Sequence, residues 1–549
     1  MTPIQRFKNL LRVDKKDIYQ IILYSILAGI ISLSLPLGIQ SIVNFLQAGK
    51  VSTSWVVLVI IVVAGVAMVG TFRIMQYRIT ENLQQKIFVR SSFEFAYRFP
   101  KIKFSKLYNY SPPELANRFF DTLNVQKGFA KLLLDISGAA LQIIFGILLL
   151  SFYHTFFIFF GILLIALLYL IFKVNFNNGL KTSLEESNYK YKVAHWLQEI
   201  ARNHLSFKNN QLFNHSLDKN DELVNSYLEH RESHFTILRR QFIQLTGFKV
   251  LITAGLLIIG GILVLSQQMN IGQFVAAEII ILTIVTAVEK LFSGIELFYD
   301  VLTSLEKIGK VVDMDLEDQN GASDYSLAGD DLSIEGERLS YRFPDQENLI
   351  LKNISLKIEQ GDKIIIEGEN GSGKTTLIRL LSRVIEPTGG TIFINNTNYK
   401  KYPIDEYRSN IGTITINDNV FEGTIIENMT CKNPNIDIKQ VNKVVEVLRL
   451  TPYIKSLPNG LDTIVHSEGK QLNSSVVQKI LLARCILSNP KILYLEEPLE
   501  KVDESSAHEI IDYLTAEDKT WTLVVISKNE YWKQKCNKRF LLEEGELKA

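Results

Sequence analysis

Apolar positions fall into two patterns along this chain. The first half holds long apolar runs: Ile18–Phe45, Trp55–Val69, Leu132–Phe152, Thr155–Phe172, Phe248–Leu265 and Phe274–Leu297. These approach or exceed the ~20 residues needed to cross a bilayer as a helix, and six spans is the simplest count. Glu278 and Glu289 interrupt the last run. Lys and Arg are concentrated before the first span and in the two long connections, about 76–130 and 173–246. The short connections AGKVST, YH and SQQMN carry one Lys between them. By the positive-inside rule both chain ends and both long connections face the cytoplasm, so a multi-pass protein of the cytoplasmic (inner) membrane is expected.

The long connections are polar with helical spacing, which predicts extensions of the spans as cytoplasmic helix hairpins. SPPELANRF reads as a turn opening a short helix at Pro112 and Pro113, and QLFNHSLDKNDEL predicts another. FKNLLRV, ahead of the first span, is basic and amphipathic, the pattern of an interfacial helix at 1–17. The transmembrane domain is then 18–304 and a linker 305–331, acidic from Asp313 to Asp331.

From 332 to 549 short β-rich runs (KIIIEG, GTIFIN, KILYLEE, TLVVIS) alternate with helical stretches, an α/β pattern. The expected fold is therefore multidomain: an all-α six-helix membrane domain, then an α/β domain. Composition agrees. The 549 residues are 47% hydrophobic and 21% charged, and the net charge of +1 excludes bulk electrostatic nucleic-acid binding. The three cysteines, Cys431, Cys485 and Cys536, show no metal spacing and read as reduced thiols.

The chemistry concentrates in GENGSGKTT, which follows the strand KIIIE and opens a helix. That is the context of a phosphate-binding loop, so the α/β domain is expected to be a P-loop NTPase. Gly368, Glu369, Asn370, Gly371, Ser372 and Gly373 form the loop, and its backbone N–H groups and helix N-terminus favour an anion. Lys374 is placed to reach the β- and γ-phosphates, Thr375 to ligate Mg²⁺, and Thr376 to follow it into the helix. In KILYLEEP a hydrophobic strand ends on two carboxylates. Glu496 would hold the metal through water and Glu497 would polarise the attacking water.

Six spans with cytoplasmic extensions followed by this cassette resemble an ATP-binding-cassette (ABC) exporter half-transporter, over nearly the whole chain. LPLGIQSIVNFL and FEGTIIENM are similar to segments of type I secretion and bacteriocin exporters. Members that process peptides carry a protease domain ahead of the first span. Here that span starts by about residue 18 and no Cys precedes 431, so a member without the protease is expected. The resemblance places Phe343, with Tyr341 nearby, where an aromatic stacks on adenine. It places Asp503 in the loop that signals across a cassette dimer, and Asn473, Ser474 and Ser475 in the signature that meets the partner's nucleotide.

Departures from the family pattern change the expected chemistry. Ile416 stands where the family has a metal- and water-contacting glutamine, and has no polar side-chain atom. The signature LSGGQ is replaced by Leu472, Asn473, Ser474, Ser475 and Val476. Lys528 replaces a histidine and cannot accept a hydrogen bond as neutral imidazole does. Glu496 replaces an aspartate. Removing one interaction with the transition state typically costs ~10²–10³ in rate, so ATP binding with slow turnover is expected. A homodimer would carry these departures in both sites, whereas a regular partner keeps one whole set of cis groups. The resemblance thus implies a second half-transporter, a heterodimer being preferred, together with membrane lipids, a periplasmic adaptor and an outer-membrane channel. The other class consistent with the broken elements is a nucleotide-sensing regulatory or assembly subunit with little ATPase activity. The cargo is not legible.

Overall fold

In a computed structural model, the chain divides into two units. The first comprises Met1–Lys101 and Tyr110–Met314; the second comprises Ile102–Asn109 and Asp315–Ala549. The structure describes residues 1–47, 53–318, 326, 327, 329 and 331–548. The short connection at 48–52 and much of the acidic linker lie outside the described residues.

The first apolar run is shared by two helices, and every other run of the first unit is the membrane-compatible part of one longer helix. The helices are α1 (Pro3–Val13), α2 (Lys15–Ser32), α3 (Ser34–Gln47), α4 (Thr53–Arg98), α5 (Phe104–Leu107, in the second unit), α6 (Pro112–Asn117), α7 (Asp121–Ser151), α8 (Phe156–Arg202), α9 (Asn210–Leu265) and α10 (Ile271–Val312). Six helical segments among the described residues are long and apolar enough to cross a membrane. At ~1.5 Å per residue, α4, α8 and α9 are roughly 70–85 Å long, more than twice a bilayer's ~30 Å hydrocarbon core. Their polar halves are the long connections read from the sequence. In the first span Pro36 has no N–H to offer the Ser32 carbonyl, and the helix breaks between Ser32 and Ser34. The Ser32 hydroxyl turns back to donate to the Gly29 carbonyl at 2.7 Å.

Three sequence expectations change here. QLFNHSLDKNDEL forms no separate helix but lies in the opening turns of α9, whose N-cap is Asn209. No Gly or Pro follows until Gly247, so nothing stops the helix; the turn lies earlier, around Ser206–Lys208. Helix α10 runs to Val312, well past the boundary expected at 304. Helix α1 lays its apolar side on protein. Its Phe7 ring meets Phe129 and Phe298 edge-on at 5.4 and 5.0 Å. Arg6 pairs with Glu306 and, at 2.7 Å, with Asp313, so acidic partners on and just beyond α10 hold a helix that basic patterning alone would assign to lipid headgroups.

Helices α8, α9 and α10 meet at Tyr299, which is fully buried. Gln241 on α9 donates to the Tyr299 hydroxyl at 3.2 Å, and Gly179 on α8 leaves room for the ring. A Cβ there would lie 2.4 Å from the Tyr299 Cζ. Small residues at such crossings let membrane helices approach closely.

Among the described residues the second unit contains twelve strands: β1 (Ile334–Tyr341), β2 (Leu351–Ile358), β3 (Lys363–Glu367), β4 (Gly389–Ile394), β5 (Thr397–Asn398), β6 (Ile411–Ile414), β7 (Gly423–Thr424), β8 (Ile464–Val465), β9 (Ile492–Glu496), β10 (Thr522–Ile526), β11 (Lys538–Glu543) and β12 (Glu546–Lys548). The central sheet has the order β12-β11-β3-β10-β9-β6 and is parallel except for the hairpin of β11 and β12. An antiparallel sheet, β2-β1-β4-β5, and a small β7-β8 pair complete it. Strands β9 and β10 are buried at every residue, which explains why they are apolar apart from Glu496 and Thr522 at their ends. Helices Lys374–Leu381 and Ser474–Leu487 contribute buried side chains to the unit's hydrophobic clusters. Residues 102–109 belong to this unit although the sequence places them inside the membrane half. The Lys103 N–H donates to the Asp315 carbonyl at 3.0 Å, and the Arg379 guanidinium sits 5.3 Å over the Phe104 ring.

Gly179→Val is expected to destabilise the first unit by about 2 kcal/mol, the scale of a badly overpacked site. Thermal unfolding of the detergent-solubilised chain, with Gly179→Ala as the milder step, measures this.

Candidate nucleotide site

The loop between β3 and helix Lys374–Leu381 has an unusual backbone. Gly368, Gly371 and Gly373 have φ of +144°, +87° and +105°, a region that side chains disfavour. At Gly368 a Cβ would lie 2.1 Å from the Leu542 carbonyl oxygen, whereas at Gly371 nothing lies within 4 Å. The loop is thus packed hard against β11 on one side and open on the other. Ser372 is buried with its hydroxyl lacking a hydrogen-bond partner. The Lys374 ammonium donates to the Gly368 and Glu369 carbonyls, both at 2.6 Å, which draws it across the loop. An open cradle of backbone, a helix N-terminus and a lysine fit a polyphosphate.

The two strand-end carboxylates separate cleanly. Glu496, the last residue of β9, is buried. It accepts a hydrogen bond from the Thr375 hydroxyl and a long one, 3.3 Å, from the Ile416 N–H. Thr375 and Glu496 are therefore the pair placed to hold a hard cation such as Mg²⁺. Glu497 turns away at φ +43°, its N–H donating to the Ile526 carbonyl at 2.8 Å. Its carboxylate accepts from the Ser527 hydroxyl at 3.1 Å and from the Lys528 N–H at 3.1 and 3.3 Å. Burial pushes the Glu497 carboxyl above the usual range and Glu500 adds to the rise. The hydrogen bonds from Lys528 and Ser527, and the Lys528 charge, oppose it.

Phe343, Gly368, Asn370, Gly371, Gly373, Lys374, Thr375, Thr376, Ile416, Glu496, Glu497 and Lys528 line one cavity of about 610 Å³. Phe343 meets Tyr341 edge-on at 5.3 Å and is stacked at 4.8 Å on Tyr108, a residue 235 positions earlier that no local pattern marks. Ile416 is 60% exposed and presents bare hydrocarbon to the cavity. Asn473, Ser474, Ser475 and Asp503 do not line this cavity. Asn473 and Ser474 open helix Ser474–Leu487 and are exposed. Asp503 caps helix Glu504–Thr515, accepting from the Ser506 N–H at 2.9 Å. Sequence reading also missed Gln478. Its amide donates to the Glu497 carbonyl at 3.2 Å and accepts from the Lys501 N–H at 2.8 Å, holding the loop after the second carboxylate.

With this geometry in place, similarity to known proteins decides the family of the domain. Residues 351–500 match the ABC transporter family. The second unit contains an ABC transporter domain. Among curated relatives, the alpha-hemolysin translocation ATP-binding protein HlyB of Escherichia coli O157:H7 is 29% identical over 307 residues, which is 56% of this chain and 43% of that protein. The leukotoxin translocation ATP-binding protein LktB of Mannheimia haemolytica is 28% identical over 289 residues, 53% of this chain and 40% of the relative. The chain thus spans about two fifths of the length of these relatives. The solved structure of a bacterial Atm1-family ABC exporter with ATP bound superposes with a TM-score of 0.87. It covers 98% of this chain and 96% of its own at 17% identity. The chain has the fold of an ABC exporter, six apolar helical segments ahead of the cassette.

A base with a raised pKa loses its ionised form first as pH falls. The acid limb of any Glu497-dependent nucleotide turnover is therefore expected above the ~4.3 of a free glutamate. Lys528→Met removes an opposing positive charge and should move that limb to higher pH, with Lys528→Arg leaving it in place. A pH–rate profile checks this; an unmoved limb in Lys528→Met would mean the charge does not act on Glu497. Separately, Asp503→Ala should lower stability by ~1 kcal/mol, the usual cost of removing an N-cap, with Asp503→Asn largely restoring it in a denaturant melt.

Proposed function

We propose that the chain is one half of an ATP-driven exporter of the cytoplasmic membrane, with its N-terminus and cassette in the cytoplasm. One observation carries this reading: a glycine-lysine-threonine loop and two strand-end carboxylates converge on one cavity in a unit joined to six apolar spans. In this reading Gly371 and Gly373 let the loop backbone wrap the phosphates and Lys374 offsets their charge. Phe343 presents a face to the adenine. Thr375 and Glu496 hold Mg²⁺, which supplies charge neutralisation on the phosphates when bound. Glu497, held by Ser527 and the Lys528 backbone, orients water.

Nucleotide affinity that differs between two arrangements of the dimer biases one over the other, and hydrolysis resets it. Ile416 and Lys528 each deprive this chain's own site of a polar group, and LNSSV weakens what it offers a partner. Slow turnover follows, with each absent transition-state interaction lowering the rate by ~10²–10³. A heterodimer with a regular half-transporter keeps one complete set of cis groups and is the preferred assembly. The exposed hydrocarbon of Ile416 beside Glu496 also supports a second reading, a nucleotide-sensing subunit that closes without productive hydrolysis. ATPase and vesicle-transport assays with and without a partner chain separate the two.

Lys374→Ala is expected to weaken Mg-ATP binding about 10–100-fold, the scale of removing charge-assisted hydrogen bonds, and to abolish ATP-driven uptake into inverted vesicles. Undiminished transport in that variant contradicts the exporter reading.

A further inference from the structure

Inside the first unit, two cavities of about 400 and 170 Å³ share the walls Ser32, Val69, Arg73 and Gln142. They form one crevice among α2, α3, α4, α7 and α10. Its two ends differ in chemistry. The larger part runs past the helix break at Pro36 and is walled by Leu35, Val66, Phe145 and Ile280. The smaller part is lined by Arg73, Gln76, Asp135, Gln142 and Lys290.

The polar end is a constructed one. The Gln76 amide donates to the Ser25 hydroxyl at 2.7 Å and to the Ile21 carbonyl at 3.1 Å. The Ser25 and Ser137 hydroxyls are 3.0 Å apart. This chain of bonds pins α2, α4 and α7 together beside the charged groups. Among the described residues the side chains of Arg73, Asp135, Gln142 and Lys290 make no hydrogen bond or ion pair. Their three helices bring them to a common depth. At ~1.5 Å per residue, Arg73, Asp135 and Lys290 lie roughly 24–30 Å from the far helix ends Thr53, Ser151 and Ile271, close to the full thickness of a hydrocarbon core. In the orientation proposed above, that places the charges at the level of the cytoplasmic headgroups, with the apolar part of the crevice rising from them into the bilayer.

Charged groups left unpaired where hydrocarbon begins mark a ligand path. Two cations and one carboxylate line this end, which leaves an excess positive charge beside the apolar slot. We infer that this crevice binds an amphiphile with an anionic headgroup, the head held by Arg73 and Lys290 and the tail lying along Leu35, Val66, Phe145 and Ile280. This names a substrate class and rests on the exporter reading for its direction of transport. The binding itself does not need that reading.

The test uses the full chain in nanodiscs of zwitterionic lipid, with radiolabelled dodecyl phosphate as probe and empty discs subtracted. Saturable retention is expected, displaced by unlabelled dodecyl phosphate and not by dodecyltrimethylammonium. Arg73→Glu and Lys290→Glu should each weaken retention about tenfold or more, Arg73→Lys by no more than about threefold. Asp135→Asn, which removes the opposing charge, should strengthen it. Equal displacement by the cationic amphiphile, wild-type retention in both charge reversals, or weaker retention in Asp135→Asn overturns the inference. Mg-ATP binding is read on the same discs with a fluorescent nucleotide. Its absence would sink the exporter reading and leave the retention result standing.

Discussion

The functional reading depends on a close approach between backbones. At Gly368 the loop presses against the carbonyl of Leu542 so tightly that a single methyl group would collide with it. With its back fixed against β11, the loop turns its open side, at Gly371, toward the cavity. A tightly fixed concavity of N–H groups at a helix start is what gives a polyphosphate a site without reorganisation. The positions of Thr375, Glu496 and Glu497 follow from it, because β3, β10 and β9 are in register in one parallel sheet.

The same sheet decides what each carboxylate does. Glu496 ends a fully buried strand and faces the hydroxyl of Thr375. Glu497 is thrown to the other side by a left-handed backbone and is held by the residues that follow β10. Two adjacent acids thus reach different surroundings. Lys528 affects the second one twice, through its backbone N–H and through its charge. The first of these does not depend on the side chain, since any residue other than proline provides that N–H.

Much of this is legible in the chain because the signals are local. A run of ~20 apolar residues reports a span, and glycines followed by Lys-Thr after a strand report a phosphate loop. What does not show are features made by distance. Residues 102–109 join the second unit through interactions with residues such as Asp315, Phe343 and Arg379. Tyr108 backs Phe343, and Gln478 steadies the loop after Glu497, without any spacing that announces it. The end of α10 is hidden because Gly309 lies inside the helix and no Gly or Pro marks its close at Val312. The crevice is hidden as well. Arg73 stands just after the second apolar run and Lys290 inside the last one, and only packing brings them to one end of an apolar slot.

The most direct measurement is calorimetric titration of Mg-ATP into the purified full chain held in nanodiscs. The account predicts saturable binding at one site per chain, weakened about 10–100-fold when Lys374 is replaced by alanine. A wild-type protein that is folded by thermal melt and takes up no Mg-nucleotide at millimolar concentration would contradict it.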